Sequence, residues 1–200
     1  MGRNVRIPKE KLLQTGLEML IQDGYSAINI TALAREAGCS TQPVAWHFGN
    51  MENFRKELAE YAVNCVVNSL KSDCTEALGA VSEIGGIYLD LAFDKPNLIK
   101  FIQANGAGTS FADGLGYIFN LEKSSAVIDG IAAEFGLERS AANEFMKAAV
   151  IYIHGLVSLI STGALDMTRQ EANENFKGFA VTALTGFGVS REKAEKSLKK

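Results

Sequence analysis

Residues 29–48 read Asn-Ile-Thr-Ala-Leu-Ala-Arg-Glu-Ala-Gly-Cys-Ser-Thr-Gln-Pro-Val-Ala-Trp-His-Phe, which predicts two short helices joined by a tight turn. The first helix has an apolar face, formed by Ile30, Leu33, Ala34 and Ala37. Gly38 follows, where the end of a helix needs a residue that adopts a left-handed backbone. We expect Ser40 or Thr41 to cap the second helix by accepting a backbone N–H bond.

The second helix of this stretch combines two apolar anchors with an exposed polar face. The anchors, Val44 and Phe48, are spaced i, i+4 and therefore lie on one side of the helix. The remaining positions carry small polar groups and rings, at Thr41, Gln42, Trp46 and His47. The pattern is typical of a helix-turn-helix whose second helix enters the major groove of DNA.

From about Pro8 to Tyr61, the chain resembles the DNA-binding domain of the TetR family of bacterial regulators. The family pattern is a Thr or Ser helix start, Ile-Ala, Ala-Gly-Val-Ser, and a recognition helix that ends in aromatic-aromatic-Phe. The corresponding residues here are Asn29, Leu33-Ala34, Ala37-Gly38-Cys39-Ser40 and Trp46-His47-Phe48.

Two positions depart from the family pattern. Ala45 stands where the family commonly has Tyr, and Met51 stands where it commonly has Lys. The resemblance implies that both family residues touch phosphate, and phosphate contacts supply much of the salt-dependent affinity for DNA. The departures favour either weaker DNA binding or phosphate contacts made by other groups.

Gln42 is the best candidate for reading a base edge, because its amide can pair with adenine through two hydrogen bonds. We expect Thr41 and Pro43 to meet a thymine methyl group or a phosphate, and Trp46 and His47 to pack on or bond to the DNA backbone. Asn29 and Thr31 start a helix whose N–H groups point at phosphate, and Asn29 as a simple cap is compatible with this. The candidate DNA-binding residues are Asn29, Thr31, Ser40, Thr41, Gln42, Pro43, Ala45, Trp46 and His47. The alternative is that they only cap and pack a structural helix.

The charge of the chain is unevenly distributed. Residues 1–56 hold seven Lys or Arg and five Asp or Glu, a balance of +2, whereas residues 57–200 hold thirteen and eighteen, a balance of −5. This asymmetry supports a DNA-facing head on an acidic body. The basic cluster Arg3, Arg6, Lys9 and Lys11 is interpreted either as an arm that reaches DNA or as a solvated tail.

Helical periodicity along the rest of the chain predicts an all-α protein. With the resemblance, it implies two domains: a three-helix DNA-binding domain over residues 1–56 and a larger ligand-binding and dimerisation domain over 57–200. Helix four is expected to run to about Asp73 with a buried stripe at Phe54, Leu58, Tyr61 and Cys65. Four glycines between Gln103 and Tyr117 predict a flexible connector.

The stretch Ala148–Leu165 has no charged residue and carries apolar residues on two helix faces. One face can cover the body's own core, so the other is expected to meet a second subunit. The resemblance implies a four-helix bundle made from the last two long helices of each subunit. The expected interface residues are Leu156, Leu159, Phe179, Ala183 and Phe187.

The body is expected to hold a mostly apolar pocket with a few polar groups, the usual form of a small-molecule site. The candidate ligand-binding residues are Tyr88, Phe93, Phe101, Tyr117, Tyr152 and His154. Ordinary core packing is the alternative for each ring.

Several function classes are disfavoured. The chain has no recognisable nucleophile–base pair, carboxylate pair or metal cluster, so we expect neither an enzyme, nor a metal site, nor a cofactor. It has no secretory signal, and only the Ala148–Leu165 stretch approaches membrane-spanning length, so we expect a cytoplasmic protein without a membrane partner.

The sequence hypothesis is a homodimeric transcriptional regulator that binds a double-stranded DNA operator. It is most simply a repressor released by an unidentified, largely apolar small molecule. The alternatives are an activator and a dimeric small-molecule-binding protein of the same fold with a weak or idle DNA-binding head.

Overall fold

A computed structural model of the chain describes residues 7–105 and 121–198. Within these residues there are ten α-helices, one short 3₁₀ turn and no strand, so the all-α fold class is confirmed. The elements are α1 (Lys9–Asp23), the 3₁₀ turn (Tyr25–Ala27), α2 (Ile30–Glu36), α3 (Thr41–Phe48), α4 (Met51–Ser69), α5 (Ala77–Asp94), α6 (Pro96–Asn105), α7 (Leu121–Phe135), α8 (Arg139–Thr162), α9 (Arg169–Gly186) and α10 (Arg191–Ser197). Arg3, Arg6, Tyr117 and most of the glycine-rich connector lie outside the described residues.

The described helices form two compact units. The first contains α1, α2, α3, most of α4, and α6, and the second contains α5 and α7 to α10. The functional division at residue 56 stays a prediction, and the packing adds α6 to the unit that holds the helix-turn-helix.

The first unit is built on α1, which packs against the 3₁₀ turn, α2 and α6. The Asn97 side-chain amide on α6 donates to the carbonyl of Ile21 at 3.3 Å. Phe101, also on α6, stacks on Tyr25 with ring centroids 5.0 Å apart. A ring stack inside an apolar core adds a directional contact to the area it buries, so α6 is fixed to α1 by both polar and aromatic contacts.

The buried face of α4 differs from the predicted stripe. Phe54 and Leu58 are fully buried as expected, but Tyr61 and Cys65 are only half-buried, and the helix ends at Ser69 rather than near Asp73. The core face is completed by Ala59, Ala62 and Val66. The predicted stripe contained only larger side chains and missed the alanines, whose small side chains let a neighbouring helix pack closely.

The second unit is organised around α5 and α8, which pack on each other and on α7 and α9. Gly85 of α5 faces the ring of Phe176 of α9, where a side chain would collide with the ring. Glu134 of α7 accepts the N–H of Leu78 at 3.2 Å and so serves one of the free donors at the start of α5.

Among the described helices, α8 alone is long and apolar enough by length and composition to cross a membrane. Its packing on three helices makes it the core helix of the second unit. Only 39% of its most apolar window is buried within the chain, so an apolar face remains uncovered.

Candidate functional site

The start of α2 and the turn after it are fixed by local interactions. The Asn29 side-chain oxygen accepts the N–H groups of Thr31 at 3.1 Å and Ala32 at 2.9 Å, so the predicted Asn29 cap is confirmed. Gly38 has φ = 69°, a conformation that strains any residue with a Cβ, and this confirms its predicted place in the turn.

The start of α3 differs from the prediction. Ser40 is the residue before the helix, but within the described residues its side chain makes no capping hydrogen bond, and Thr41 is already the first helical residue. The predicted Ser40 cap is therefore wrong. Because Ser40 is exposed, water can accept hydrogen bonds from the N–H groups of the first turn instead of the Ser40 side chain.

The inner face of α3 is held by its two predicted anchors. Val44 is 2% exposed and Phe48 is 4% exposed. The Phe48 ring packs edge-on against Phe54 of α4 with centroids 5.0 Å apart. These contacts fix the rotation of α3 about its own axis and hence decide which residues face outward.

The outer surface of α2 and α3 contains all nine predicted DNA-binding residues. Trp46 is 64% exposed, an unusual exposure for so large a ring. The other exposed positions are Asn29, Thr31, Ser40, Thr41, Gln42 and Ala45, and the half-buried ones are Pro43 and His47. The structure therefore leaves seven of the nine candidates exposed and two half-buried on two neighbouring helices, while their contact with DNA stays a prediction.

His47 has a protein partner that the sequence did not reveal. Its Nε2 atom lies 2.8 Å from the carbonyl oxygen of Ile7, just before α1. Nearby, the Lys9 ammonium pairs with Glu57 at 2.5 Å and lies 5.4 Å from the Phe48 ring centroid. The start of α1 is thus tied to α3 and α4.

Asn53 is a further residue that sequence reasoning missed. Its side-chain amide donates to the carbonyl of Phe48 at 3.0 Å, and its own N–H donates to the Asn50 side chain at 2.9 Å. Asn53 thereby closes the end of α3, while Asn50 caps α4. Gly49 between them has φ = 74°. The Gly-Asn pair at 49–50 was the only local signal of this turn.

The two departures from the family pattern lie where a phosphate contact would be expected. Ala45 is exposed and has no polar group. Met51 is half-buried, and its carbonyl accepts the Tyr25 hydroxyl at 3.4 Å. Exposed cations of the same unit include Arg35 and Arg55.

In the second unit, two of the predicted ligand-binding residues form a hydrogen-bonded pair. The Tyr88 hydroxyl lies 2.9 Å from His154 Nδ1, and the two rings stack with centroids 6.0 Å apart. Burial raises the pKa of the Tyr88 hydroxyl and lowers the pKa of the His154 imidazole. Both groups are therefore held in their neutral forms.

The remaining ligand candidates are dispersed. Phe101 belongs to the core of the first unit, where it stacks on Tyr25. Phe93 lies under the Arg169 guanidinium, 5.2 Å from its ring centroid. The Tyr152 ring stacks on that of Phe179 with centroids 4.0 Å apart, and its hydroxyl hydrogen-bonds to the Asn175 side chain. The structure brings together only Tyr88 and His154 of this set, and ligand binding by any of them stays a prediction.

The predicted dimer residues divide by exposure. Leu156 is 8% exposed and thus part of its own chain's core. Leu159 is 46% exposed and Phe187 is 38% exposed, while Phe179 and Ala183 are half-buried. Ile151, at 60% exposed, was missed. A third i, i+4 row on α8 (Ile151, Gly155, Leu159) was the signal that would have revealed it.

The helix-turn-helix geometry agrees with a family match. Residues 12–58 match the model of the bacterial regulatory proteins of the tetR family. The match shows that residues 12–58 resemble the DNA-binding domain of tetR-family regulators. An uncharacterized HTH-type transcriptional regulator from Mycobacterium tuberculosis is 22% identical over 172 residues, which cover 83% of this chain and 76% of that protein.

Two solved structures share the fold of this chain. A TetR-like transcriptional regulator from Rhodococcus sp. RHA1 has a TM-score of 0.57 at 10% identity, covering 93% of this chain and 99% of that one. A putative transcriptional regulator from Streptomyces coelicolor A3(2) has a TM-score of 0.57 at 13% identity, covering 91% and 97%. At these identities the similarity is one of fold alone.

Proposed function

We propose that this protein is a homodimeric, cytoplasmic repressor of the TetR family that leaves its operator when a small, largely apolar molecule binds its second unit. The observation that carries the proposal is the presentation of α3. Val44 and Phe48 hold the helix to the core, while Gln42 and Trp46 remain exposed. A helix held in this way can offer a row of side chains to the major groove.

Within this proposal, Gln42 reads a base edge, and its neighbours Thr41 and Pro43 meet a thymine methyl group or a phosphate. The start of α2, capped by Asn29, directs backbone N–H groups toward a phosphate. The helix-capping role of Asn29 and its proximity to DNA are compatible, because the Asn29 side chain accepts the N–H groups of Thr31 and Ala32 and leaves that of Ile30.

Dimerisation is supported by the uncovered face of α8. Ile151 and Leu159 are well exposed, and Gly155 lies between them at i, i+4 spacing. An added Cβ at Gly155 would meet no atom within 4 Å among the described residues, outside its own helix backbone. A glycine flanked by exposed apolar side chains lets a second helix approach closely, so we place the subunit contact here.

The effector site is placed around the Tyr88–His154 pair, which would supply neutral hydrogen-bonding groups within apolar surroundings. Two recognition helices of a dimer must lie about 34–36 Å apart to occupy successive half-sites of an operator. An effector that binds another arrangement of the dimer more tightly shifts the population away from this spacing and releases the DNA.

The test of DNA binding is a titration of the purified protein with DNA flanking its own gene and with random duplex, over a series of salt concentrations. Gln42→Ala is expected to cost about 1–3 kcal/mol on the best site and to relax base preference at one position. Gln22→Ala is the matched control, because Gln22 is an exposed glutamine of α1 in the same unit. Equal losses for the two variants would refute the role of Gln42.

A second candidate function is a dimeric ligand-binding protein with an idle DNA-binding head, which Ala45 and Met51 favour because neither offers a phosphate donor. A genome-wide selection of bound DNA fragments separates the two functions. Enrichment of a defined sequence supports the regulator, and enrichment of none supports the idle head.

The dimer contact is tested by Gly155→Leu in sedimentation experiments. The new side chain has space within a single chain and removes a helix-destabilising glycine, so the fold should persist while the dimer dissociates. Glu60→Leu is the control, because Glu60 is an exposed helical residue of the first unit. A Gly155→Leu protein that remains as dimeric as wild type contradicts this placement.

A further inference from the structure

We propose that Tyr25 is a positioning residue that couples helix α6 to the recognition helix α3 by way of the first turn of α4. The proposal rests on the proposed DNA-binding function. It changes the role of Phe101, which the sequence predicted to bind a ligand: Phe101 holds the Tyr25 ring and so supports the DNA-binding surface.

The first step is the connection between the end of α3 and the first turn of α4. Only Gly49 and Asn50 separate the two helices. The Asn53 side-chain amide donates to the Phe48 carbonyl at 3.0 Å, and the Asn53 N–H donates to the Asn50 side chain at 2.9 Å. The Gly49 N–H donates to the Ala45 carbonyl at 2.8 Å. Because these bonds close the turn, a displacement of the first turn of α4 is carried to the end of α3.

The second step is the bond from Tyr25 to this turn of α4. The Tyr25 hydroxyl donates to the Met51 carbonyl at 3.4 Å. A carbonyl oxygen only accepts hydrogen bonds, and burial raises the pKa of the Tyr25 hydroxyl, so the hydroxyl keeps its proton and is the donor. The backbone of Tyr25 is fixed as well, because its carbonyl accepts the N–H of Ile28 at 3.0 Å within the 3₁₀ turn.

The third step is the contact of Tyr25 with α6. The Phe101 ring stacks on the Tyr25 ring with centroids 5.0 Å apart and planes inclined by 26°. Phe101 is 5% exposed, whereas Tyr25 is half-buried. The bond from the Asn97 amide to the Ile21 carbonyl holds the first turn of α6 at the end of α1. The ring of Tyr25 is therefore supported by α6, while its hydroxyl reaches α4.

The length of the Tyr25–Met51 bond explains why this support matters. A tyrosine hydroxyl is at the far end of a rigid ring, so a small rotation of the ring displaces the hydroxyl more than any other atom of the side chain. At 3.4 Å the bond is close to its limit, since a contact of about 3.6 Å is no longer a hydrogen bond. The stack on Phe101 fixes the ring and thereby keeps the hydroxyl within reach of Met51.

The experiment is a double-mutant cycle on the full chain. Tyr25→Phe keeps the stacked ring and removes the hydroxyl, whereas Phe101→Leu keeps an apolar side chain and removes the stack. Tyr61→Phe is the matched control, because Tyr61 is a half-buried tyrosine of the same unit whose hydroxyl hydrogen-bonds to Cys65 within α4. This control measures the effect of a general loss of stability on the same signals.

The main measurement is amide hydrogen exchange of the free protein, followed by NMR. The N–H groups of Gly49 and Asn53 should exchange about 2-fold to 5-fold faster in Tyr25→Phe than in Tyr61→Phe, which is the lower range for the loss of one hydrogen bond. The chain's one tryptophan, Trp46, lies on α3. Its single indole N–H signal should move in Tyr25→Phe and stay at its wild-type position in Tyr61→Phe.

The cycle tests whether α6 acts through Tyr25. Phe101→Leu should accelerate exchange at Gly49 and Asn53 in the wild-type background and add clearly less in the Tyr25→Phe background. Additive effects on the logarithm of the exchange rate overturn the proposal, and so do equal rates in Tyr25→Phe and Tyr61→Phe. If Phe101→Leu does not fold, the comparison of Tyr25→Phe with Tyr61→Phe decides alone.

DNA binding supplies the functional readout. Tyr25→Phe should bind DNA flanking its own gene about 2-fold to 5-fold more weakly than Tyr61→Phe, because α3 must then be ordered on binding rather than beforehand. Faster exchange at Gly49 and Asn53 with wild-type affinity overturns the positioning role. If wild type shows no preference over a random duplex or any other DNA, the proposed function fails, whereas exchange in the free protein still decides whether Tyr25 couples α6 to α3.

Discussion

Gly16→Ala tests whether close packing of α1 on α4 holds the core residue Phe54, against which helix α3 packs. An added Cβ at Gly16 would lie 2.6 Å from Phe54 Cζ and 3.5 Å from both Cε atoms. Carbon atoms at their optimal separation are about 3.5–4.0 Å apart, so the ring must move by roughly 1 Å. Phe54 is fully buried and packs edge-on against Phe48 of α3, so this movement meets other core atoms.

The magnitude follows from two opposing effects. Overpacking a well-filled core costs about 1–3 kcal/mol, and replacing glycine by alanine inside a helix recovers about 0.5–1 kcal/mol. The expected result is a net loss of about 1–2 kcal/mol in the free energy of unfolding. For a chain of this size, each kcal/mol lowers the melting temperature by roughly 2–4 °C. Affinity for DNA should fall as well, because the displaced ring is the support of Phe48.

The measurement is unfolding followed by circular dichroism for wild type, Gly16→Ala, Phe54→Leu and the double variant. Phe54→Leu removes the ring atom that collides with the new methyl group, so the double variant should lose at least about 0.5 kcal/mol less than the sum of the single losses. Strict additivity, or a Gly16→Ala protein as stable as wild type, would show that the two helices do not pack as closely as described.

Three further predictions follow from other contacts. Asn29→Ala should cost about 0.5–2 kcal/mol in unfolding free energy because two N–H groups lose their acceptor, whereas Asn29→Asp should cost far less, and equal melting curves would contradict the cap. Because burial lowers the pKa of His154, this histidine takes up a proton at higher pH in the unfolded chain than in the folded one. The free energy of unfolding should therefore be highest above the ordinary histidine pKa of about 6.5 and fall as the pH drops through it. The fall should be shallower in His154→Gln, and identical pH profiles of melting temperature for the two proteins would contradict the burial of His154. Met51→Lys should tighten DNA binding at low salt and raise the salt slope by about one, and an unchanged slope would show that this position does not reach phosphate.

The helix-turn-helix could be predicted because its signals are local. Asn29 caps α2 within three residues, Gly38 makes the turn at φ = 69°, and Val44 and Phe48 anchor α3 from positions four apart. Each of these needs only neighbours in sequence. The predicted Ser40 cap was wrong because a residue type at the right position does not decide whether its side chain turns inward or toward water.

The partners of α6 could not be predicted in the same way. Its apolar residues indicate which face is buried, but they do not identify the helix on which that face packs. Phe101 was therefore interpreted as part of a pocket in the body, whereas it stacks on Tyr25, 76 positions earlier in the chain. Such a contact depends on the path of the chain between the two residues, which no local pattern records.

The Tyr88–His154 pair illustrates a partial success. Both residues were candidates because polar groups on apolar helices are uncommon, and this reasoning applies to each residue separately. Their hydrogen bond joins α5 to α8 across 66 positions. Burial is predictable from the apolar surroundings of each residue, but the match of donor to acceptor depends on the register of two helices, which only the structure provides.

Among its described residues, the DNA-binding head has few cations that are free to contact phosphate. Lys9 is engaged by Glu57 and Lys56 pairs with Glu52 at 3.2 Å, while positions 45 and 51 carry no cation. Few phosphate contacts mean a low sequence-independent affinity, since this part of binding comes from neutralised phosphates. A DNA-binding head with few phosphate contacts is expected to be more selective, because base contacts then supply a larger fraction of its binding free energy. Within the proposed function, binding therefore depends mainly on Gln42 and its neighbours.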